Sequence, residues 1–354
     1  MSANEPLETE AYGAKTKGGK IELLKVTLPP LKASQVQIEM SHCGLCHTDV
    51  HMLSDDFGMV NFPLVPGHEG VGKVTIAGDD VRGLKVGDRV GVGWIRDSCG
   101  TCEMCGCGRE NVCQVGYDGT FLGDNNHFGA WSRVMRIEAK FAFKLPDNIS
   151  AELAGPLMCA GGTVYEPIVE YVKPGTVVGI GAVGGLGTLA IKLCKLHGAK
   201  VIAFCASERE KEDVVLQSGA DVYVNMQDPK QMENPPKVHV FLETLPVNRE
   251  LSVVMPLLEK AGIYVRMGFP KKDQREFRYD WLPVIFQSKK VGGSIVTGTQ
   301  RTRRLLQLAS DNLKFVTDMP AGSDARLVPF SESNRAVEEL VDQKVKSFRT
   351  VFCW

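Results

Sequence analysis

The fold is decided by the stretch Val177-Val178-Gly179-Ile180-Gly181-Ala182-Val183-Gly184-Gly185-Leu186-Gly187. Its apolar first part predicts a strand, and one apolar face predicts a helix after it, formed by Leu186, Leu189, Ala190, Leu193 and Leu196. A tight glycine turn at a helix N-terminus lets backbone N–H groups and the helix dipole meet a pyrophosphate. The stretch therefore predicts a dinucleotide-binding turn with these candidate contacts: Gly181, Gly184, Gly185, Leu186 and Gly187.

A regular alternation continues around this turn. Apolar strands alternate with amphipathic helices in the order Thr176–Ile180, Gly185–His197, Lys200–Phe204, Glu208–Ser218, Val222–Asn225 and Val238–Thr244. Two more strand-like runs, Gly262–Met267 and Val291–Val296, extend the set. Strand and helix alternating at this spacing are typical of a parallel, doubly wound sheet.

The N-terminal part of the chain, up to residue 150, has a different pattern. Short β-rich runs such as Val36–Met40 and Val71–Ile76 are separated by Gly, Pro and Asp turns, which predicts a mostly-β domain. The whole chain is therefore predicted to be α/β with two domains. We expect the first domain to span 1–155, the sheet with its helices 156–297, and a return to the first domain 298–354.

Length and charge limit the classes of function. At 354 residues the chain is long enough for two cores and a deep site. Lys and Arg total 41 against 42 Asp and Glu, so no global positive charge favours nucleic acid as a partner. The polar N-terminus lacks the apolar run of a signal sequence, which predicts a cytoplasmic protein. The longest nearly apolar run, Thr176–Ile191, is interrupted by glycines and is too short to span a membrane.

The residues after the second strand of the predicted sheet bear on which dinucleotide binds. An NAD site normally carries Asp or Glu there to hold the ribose 2′-OH. Cys205 occupies that position, and Ser207, Arg209 and Lys211 follow with side chains able to hold a 2′-phosphate. Glu208 favours the opposite choice, because a small shift of this loop would bring its carboxylate to the ribose. We expect NADP(H), with NAD(H) as the open alternative.

Four cysteines with the spacing C-x2-C-x2-C-x7-C lie in one glycine-containing loop: Cys99, Cys102, Cys105 and Cys113. Thiolates at such short separations can converge on one Zn²⁺ and leave no coordination position open, which makes a structural site. Local disulfides are the alternative, although a reducing compartment disfavours them. Cys107 is a fifth cysteine of this loop and could substitute for one of the four ligands.

A second set of metal-ligand types is spread along the chain. Cys46 and His68 supply a thiolate and an imidazole, a pair that suits zinc. Cys159 can supply a second thiolate, and the resulting Cys2His set is that of a catalytic zinc with an open fourth position. Each residue alone has an ordinary alternative, which is a buried cysteine or a hydrogen-bonded histidine.

Longer stretches resemble a known family. The run from Gly44 to Cys113 closely resembles the zinc-containing medium-chain alcohol dehydrogenases. Phe62–Glu69 and Gly87–Gly93 are similar to the cinnamyl-alcohol-dehydrogenase-like branch, and the likeness extends over essentially the whole chain. The resemblance implies a GroES-like catalytic domain and a Rossmann cofactor domain. Ala182 departs from the family's usual pattern, since it stands where the first glycine would be.

The resemblance assigns roles around the catalytic metal. It implies the zinc ligands Cys46, His68 and Cys159, the nearby carboxylate Glu69 that can approach the metal, and Asp49 bracing His68. Thr48 is implied to take the first step of a proton relay that ends at His51 near the surface. An ordinary surface histidine is the alternative for His51.

The resemblance also implies ligand contacts and partners. Arg349 looks like the arginine of the family's C-terminal tail that pairs with cofactor phosphates, and a solvated charge is the alternative. Trp94 and Phe57 are implied to line the substrate pocket, where two aromatics favour flat or short aldehydes; core packing is the alternative. The implied partners are a small alcohol or aldehyde and a second copy of the chain.

Two other functions stay open. A family relative with the same fold could reduce an activated double bond or an iminium, and a protein that binds zinc and NADPH without turnover is more remote. The sequence favours zinc-dependent hydride transfer between a primary alcohol and NADP⁺. It carries candidates for the two metal sites, the relay and the dinucleotide turn.

Overall fold

The computed structural model describes residues 5–122, 127–206, 212–247, 249–270, 276, 279–319, 324–342, 344–345 and 348–354. The chain divides into two compact units. The first comprises Met1–Cys159, Thr297–Leu313 and Gly322–Trp354, and the second comprises Ala160–Val296 and Lys314–Ala321. The domain boundaries predicted at residues 155 and 297 stay a prediction. They leave out the short segment Lys314–Ala321, which returns to the second unit.

The strands in chain order are β1 (Leu7–Gly13), β2 (Glu22–Leu28), β3 (Gln35–Gly44), β4 (Gly70–Ala77), β5 (Arg89–Val92), β6 (Ile95–Ser98), β7 (Tyr117–Gly119), β8 (Val134–Glu138), β9 (Ala142–Lys144), β10 (Val177–Gly181), β11 (Lys200–Cys205), β12 (Val222–Asn225), β13 (Val238–Glu243), β14 (Leu258–Arg266), β15 (Lys290–Gly293), β16 (Arg326–Pro329) and β17 (Thr350–Cys353). The α-helices are α1 (His47–Leu53), α2 (Glu103–Gly106), α3 (Ala151–Pro156), α4 (Gly162–Tyr171), α5 (Gly185–Leu196), α6 (Glu212–Gln217), α7 (Pro229–Glu233), α8 (Leu251–Val254), α9 (Leu282–Phe286), α10 (Thr299–Asp311), α11 (Leu313–Thr317) and α12 (Ser333–Val341). No helix in the described ranges is long and apolar enough to cross a membrane.

The first unit is built on a seven-stranded sheet. Its order is β16-β17-β3-β4-β5-β9, with β8 also paired to β3. β3 is central because it pairs with three other strands, and its Val36, Ile38 and Met40 are buried in the core. Register shifts in the β3–β4 pairing bend β3 shortly before it ends at the first metal-ligand segment. The predicted mostly-β domain is confirmed.

The second unit is built on a six-stranded parallel sheet with the order β12-β11-β10-β13-β14-β15. Its core includes Phe204 and Phe241, which are fully buried, and each such ring contributes about 1.5–3 kcal/mol through burial. The strand order reverses between β10 and β13, and sheets of this kind bind ligands outside the carboxyl ends of the strands at that point. The predicted doubly wound sheet is confirmed. The strand predicted over Val291–Val296 is shorter, because β15 ends at Gly293.

Candidate active site

Four candidate metal ligands converge in the first unit. Their ligand atoms all lie within 4.8 Å of one another, and the residues are Cys46, His68, Glu69 and Cys159. The Sγ atoms of Cys46 and Cys159 are 3.9 Å apart, and Nε2 of His68 is 3.2 Å from Sγ of Cys159. Folding thus brings together side chains from three separate parts of the sequence.

Local backbone structure explains this convergence. Cys46 is the extended N-cap residue of α1, directly after β3. His68 and Glu69 immediately precede β4, which pairs with β3. Cys159 lies in a π-helical turn, Leu157–Gly161, and such turns are frequent at functional sites.

Asp49 holds the cluster together from the first turn of α1, and it is fully buried. Its Oδ1 lies 3.0 Å from Nδ1 of His68 and accepts the backbone N–H of Gly67 at 3.0 Å. Its Oδ2 accepts the backbone N–H of Cys46 at 3.0 Å. The structure therefore places Asp49 where it orients the imidazole and leaves Nε2 directed into the cluster, which is the bracing position implied by the resemblance.

Electrostatics shift the protonation of the two thiols in opposite directions. The hydrogen bond between them lowers the pKa of Cys46 well below its ordinary value, although burial opposes the shift. The same hydrogen bond raises the pKa of Cys159 well above its ordinary value, and burial adds to it. Burial alone would lower the pKa of His68, but the charge and hydrogen bond of Asp49 raise it well above its ordinary value. A divalent cation among these groups would instead favour two thiolates and a neutral imidazole.

The donor set fits a zinc ion. Two thiols and one imidazole nitrogen are soft or borderline donors, which suit zinc and not magnesium or calcium. Glu69 adds a carboxylate whose Oε2 is buried without a hydrogen-bond partner among the described residues. Burial raises the pKa of Glu69 to about 7, while the charge of Arg349 opposes that shift.

Arg349 forms an ion pair with Glu69. Its Nη2 is 2.7 Å from Oε1 of Glu69, and the two side chains are 13% and 0% exposed. Arg349 reaches this place because β17, which starts at the next residue, pairs with β3. The structure gives this arginine a carboxylate partner, which removes the solvated-charge alternative. Its contact with cofactor phosphates stays a prediction.

The residues of the predicted relay lie on α1. The thiol of Cys46 donates to Oγ1 of Thr48 at 3.5 Å. His51 is not near the surface as predicted, because its side chain is only 6% exposed. Its Nδ1 is 2.7 Å from Oδ2 of Asp56, whose side chain is 28% exposed. Asp56, which the sequence analysis does not include, therefore takes the position closer to solvent.

Aromatic side chains surround His68. Trp94 meets its ring edge-on, with centroids 5.3 Å apart and an interplanar angle of 87°. Phe121 lies 5.9 Å from His68 and 5.6 Å from Trp94. Phe57 contacts His51 instead, at 5.2 Å. The two predicted pocket residues thus lie against different histidines, and Phe121 is a neighbour of the metal-ligand cluster that sequence reasoning missed.

The second cysteine cluster lies between β6 and β7. Its ligand atoms also lie within 4.8 Å of one another, and its members are Cys99, Cys102, Cys105 and Cys113. None of these four described cysteines is in a disulfide, so the alternative of local disulfides is wrong. Backbone hydrogen bonds lower the pKa of Cys99 to about 6, which favours a thiolate, and four sulfur donors suit a structural zinc. Cys107 is exposed, and its thiol donates to a backbone carbonyl at 3.3 Å.

The glycine turn joins β10 to α5 in the second unit. Ala182 has a φ of 73°, in the left-handed region that favours glycine, so this departure from the family pattern carries backbone strain. A Cβ on Gly187 would lie 2.2 Å from the carbonyl oxygen of Ala182, whereas one on Gly184 would meet nothing within 4 Å. Gly187 is thus required for packing, and Gly184 leaves open space at the N-terminus of α5.

The other predicted dinucleotide contacts divide into two groups. Gly181, Gly185 and Leu186 lie at the end of β10 and in the first turn of α5. Ser207, Arg209 and Lys211 lie outside the described residues. Cys205 ends β11 and is buried.

Comparison with known proteins covers both units. Residues 32–147 match the family described as Alcohol dehydrogenase GroES-like domain, and residues 185–311 match Zinc-binding dehydrogenase. Vomilenine reductase from Rauvolfia serpentina is 32% identical over 347 residues, which cover 96% of this chain and 94% of that protein. The chain belongs to the zinc-binding alcohol dehydrogenase family.

Two solved structures of cinnamyl alcohol dehydrogenases are similar to this chain. One from Sorghum bicolor superimposes with a TM-score of 0.88 at 28% identity and covers 98% of both chains. The CAD of Helicobacter pylori, complexed with NADP(H), superimposes with a TM-score of 0.87 at 25% identity and also covers 98% of both chains. The predicted family and the predicted pairing of a GroES-like domain with a Rossmann-type sheet are confirmed.

Proposed function

We propose that the protein is a zinc-dependent alcohol dehydrogenase, or aldehyde reductase, that transfers a hydride between a primary aliphatic or aromatic alcohol and NADP⁺. The observation that supports this most is the convergence of Cys46, His68 and Cys159, with Glu69 alongside. Two thiolates and one histidine hold zinc with a fourth position left for a substrate oxygen. Membership of the zinc-binding alcohol dehydrogenases supports the same class of reaction.

A zinc ion held by Cys46, His68 and Cys159 would polarise the substrate oxygen and make the alcohol proton easier to remove. The protein's own part is to keep these ligands in place. Asp49 fixes the ring of His68 through Nδ1, and the edge of Trp94 packs on the same ring. A largely buried ligand set held in this way costs little reorganisation during the reaction.

Thr48, His51 and Asp56 provide a path for the proton. The Thr48 hydroxyl lies 3.5 Å from the Cys46 sulfur, so it is close to the position of a bound alcohol. Nε2 of His51 has no hydrogen-bond partner in the described part of the chain and is available to accept a proton. Oδ2 of Asp56 lies 2.7 Å from Nδ1 of His51, the opposite nitrogen of the ring, and orients the imidazole.

The four-thiol cluster is proposed to hold a second, structural zinc, which gives two zinc ions per chain. Four thiolates complete a tetrahedral shell, so no position remains for substrate. The exposed Cys107 is proposed to stay outside that shell, since its thiol already bonds a backbone carbonyl.

NADP(H) is the proposed cofactor, and NAD(H) is the alternative. β11 ends in Cys205, where an NAD site normally carries a carboxylate for the ribose. The CAD of Helicobacter pylori, which this chain resembles, is complexed with NADP(H). The open space at Gly184 and the N-terminus of α5 supports a pyrophosphate site there. From the sequence alone, Arg349 is proposed as a contact of the cofactor phosphates, and Ser207, Arg209 and Lys211 are proposed as contacts of a 2′-phosphate.

We also propose a homodimer and, from the sequence, a cytoplasmic location. Trp281, Leu282, Ile285 and Phe286 are each more than half exposed, and β15 beside them is an edge strand of the described sheet. Contiguous apolar surface and an unpaired strand edge are features of subunit interfaces. Phe286→Asp should turn the dimer into a monomer in sedimentation velocity. A monomeric wild type would contradict the dimer.

A second candidate function is reduction of an activated double bond or an iminium, which a family relative with the same fold could carry out. Initial rates with NADPH and NADH on short, aromatic and branched aldehydes, together with an enone and a cyclic iminium, distinguish the candidates. We expect aldehydes to have the highest kcat/KM and NADPH to exceed NADH. Turnover of the enone or iminium alone would overturn the first candidate, and a preference for NADH would overturn the cofactor assignment.

A further inference from the structure

Trp94 and Phe121, the aromatic residues beside His68, flank the hairpin formed by β6 and β7. The loop of this hairpin carries the four-cysteine cluster. β6 and β7 pair antiparallel, with Ser98 opposite Tyr117. Trp94 immediately precedes β6, and because Ile95 pairs with Gly119, its backbone lies at the end of β7, while its indole reaches Tyr117 at the start of that strand. The side chain at the first position of β7 can therefore control where the Trp94 indole lies.

Tyr117 makes a specific contact with that indole. Nε1 of Trp94 donates a hydrogen bond to the Tyr117 hydroxyl at 3.1 Å. The backbone N–H of Thr120 donates to the carbonyl of Trp94 at 2.8 Å, so main chain and side chain of the tryptophan are both tied to the second half of the hairpin. Trp94 is 9% exposed, and losing the hydroxyl would leave a largely buried N–H without its acceptor.

The fixed indole adjoins the metal-ligand cluster. Its ring is perpendicular to that of His68 at 5.3 Å, and the Nε2 atom of the same imidazole is 3.2 Å from the Cys159 sulfur. Phe121 packs edge-on against the indole at 5.6 Å and also lies 5.9 Å from the ring of His68. A rotation of the Trp94 side chain would therefore change the space beside the ligands and leave the ligands themselves in place.

We propose that Tyr117 is a positioning residue that sets substrate selectivity. By holding Trp94 edge-on to His68, it keeps the space beside the cluster narrow and disfavours aldehydes branched at the carbon next to the carbonyl. The inference rests on the proposed function and extends it, because Tyr117 acts through Trp94 and is not itself one of the candidate metal ligands.

The test compares Tyr117→Phe with the wild type. This variant keeps the ring and removes the acceptor. The ratio of kcat/KM for butanal over 2-methylpropanal should fall about fivefold, which corresponds to one neutral hydrogen bond. The ultraviolet resonance Raman band that reports indole N–H hydrogen bonding contains a contribution from Trp94, which is identified as the part lost in Trp94→Phe. Tyr117→Phe should lose the same contribution. Tyr171→Phe, at an exposed position on α4, is the matched control and should change neither the ratio nor the band.

A double-mutant cycle separates positioning from a general structural effect. Trp94→Phe removes the donor and should shift the ratio in the same direction. In that background Tyr117→Phe should change the ratio less than about twofold, because no indole N–H remains. An unchanged ratio in a folded Tyr117→Phe enzyme, or a full effect without Trp94, overturns the proposal. A wild type that reduces no aldehyde removes the proposed function itself, and the selectivity claim falls with it.

Discussion

Glu110 joins the four-cysteine loop to the start of α10, and its removal has a defined expected cost. The residue is fully buried three positions before Cys113. Its Oε2 accepts the backbone N–H of Thr299 at 2.8 Å, and its Oε1 accepts the hydroxyl of Thr299 at 3.0 Å. Nζ of Lys140 lies 2.7 Å from Oε1. The carboxylate thus does the work of a helix cap from a distant part of the chain.

The cost of Glu110→Gln follows from these contacts. Losing a helix cap costs about 1 kcal/mol, and a buried donor without its acceptor costs about 1–3 kcal/mol. Lys140 is partly exposed, so its ion pair adds less than about 1 kcal/mol. Glutamine keeps one oxygen acceptor and therefore retains part of the cap. We expect the free energy of opening the first turn of α10 to fall by about 2 kcal/mol. This raises the equilibrium constant for opening about 30-fold.

Hydrogen exchange measured by mass spectrometry is the appropriate assay, because a chain with two units does not unfold as one two-state system. Peptides covering Thr299 should exchange about 30-fold faster in Glu110→Gln under conditions in which exchange reports the opening equilibrium. Glu103→Gln, at an exposed position in the same loop, is the matched control. Unchanged protection of α10 in Glu110→Gln would show that Glu110 does not cap this helix.

The stability difference between the wild type and Glu110→Gln should also depend on pH. Burial opposes the shift, but hydrogen bonds from Lys140 and Thr299 lower the pKa of Glu110 below its ordinary value of 4.5. A lowered pKa means that the stabilisation is fully present above pH 4.5 and is lost as pH falls through the lowered pKa. The difference between wild type and Glu110→Gln should therefore shrink in acid. A difference that grows in acid would contradict this assignment.

Three further predictions concern the glycine turn and the relay. Gly187→Ala should destabilise the second unit by more than about 2 kcal/mol, measured by hydrogen exchange of peptides covering α5, because its Cβ would meet a backbone carbonyl, whereas Gly184→Ala should fold normally and lose NADPH affinity in fluorescence titration. Ala182→Gly should raise the stability of the second unit by up to about 1 kcal/mol in the same hydrogen-exchange assay, since it relieves a positive φ. His51→Gln should slow turnover by about 10²-fold and change its pH profile with little effect on NADPH affinity, and Asp56→Asn should act in the same direction.

A specific result would contradict each of these predictions. Equal stability of the two glycine variants would contradict the packing of the turn, and a less stable Ala182→Gly would contradict the strain. If His51→Gln keeps the wild-type pH profile of kcat, the histidine is not in the proton path.

The fold was predictable because its signals are local. Residues 177–196 place a strand, five glycines and an amphipathic helix within a short stretch, and periodicity is readable there without tertiary contacts. The four-cysteine cluster is equally local, since its spacing limits where the thiols can lie. The disulfide alternative was excluded only by the structure.

The active-site details were less predictable because they depend on tertiary contacts. Arg349 and Glu69 are 280 positions apart, and no sequence pattern indicates that they pair. Tyr117 and Phe121 reach Trp94 through the hairpin that flanks the cysteine loop. The prediction for His51 placed it near the surface because a sequence does not show how the end of α1 is covered.

Metal analysis shows directly whether the chain holds two zinc ions. We expect two zinc ions per wild-type chain by inductively coupled plasma mass spectrometry, and one in folded Cys159→Ser or His68→Ala, because these variants disturb only the open site. The remaining zinc should then be the one held by Cys99, Cys102, Cys105 and Cys113. A wild type with a single zinc, or a folded Cys159→Ser that retains both, would contradict the assignment of an open zinc site to Cys46, His68 and Cys159.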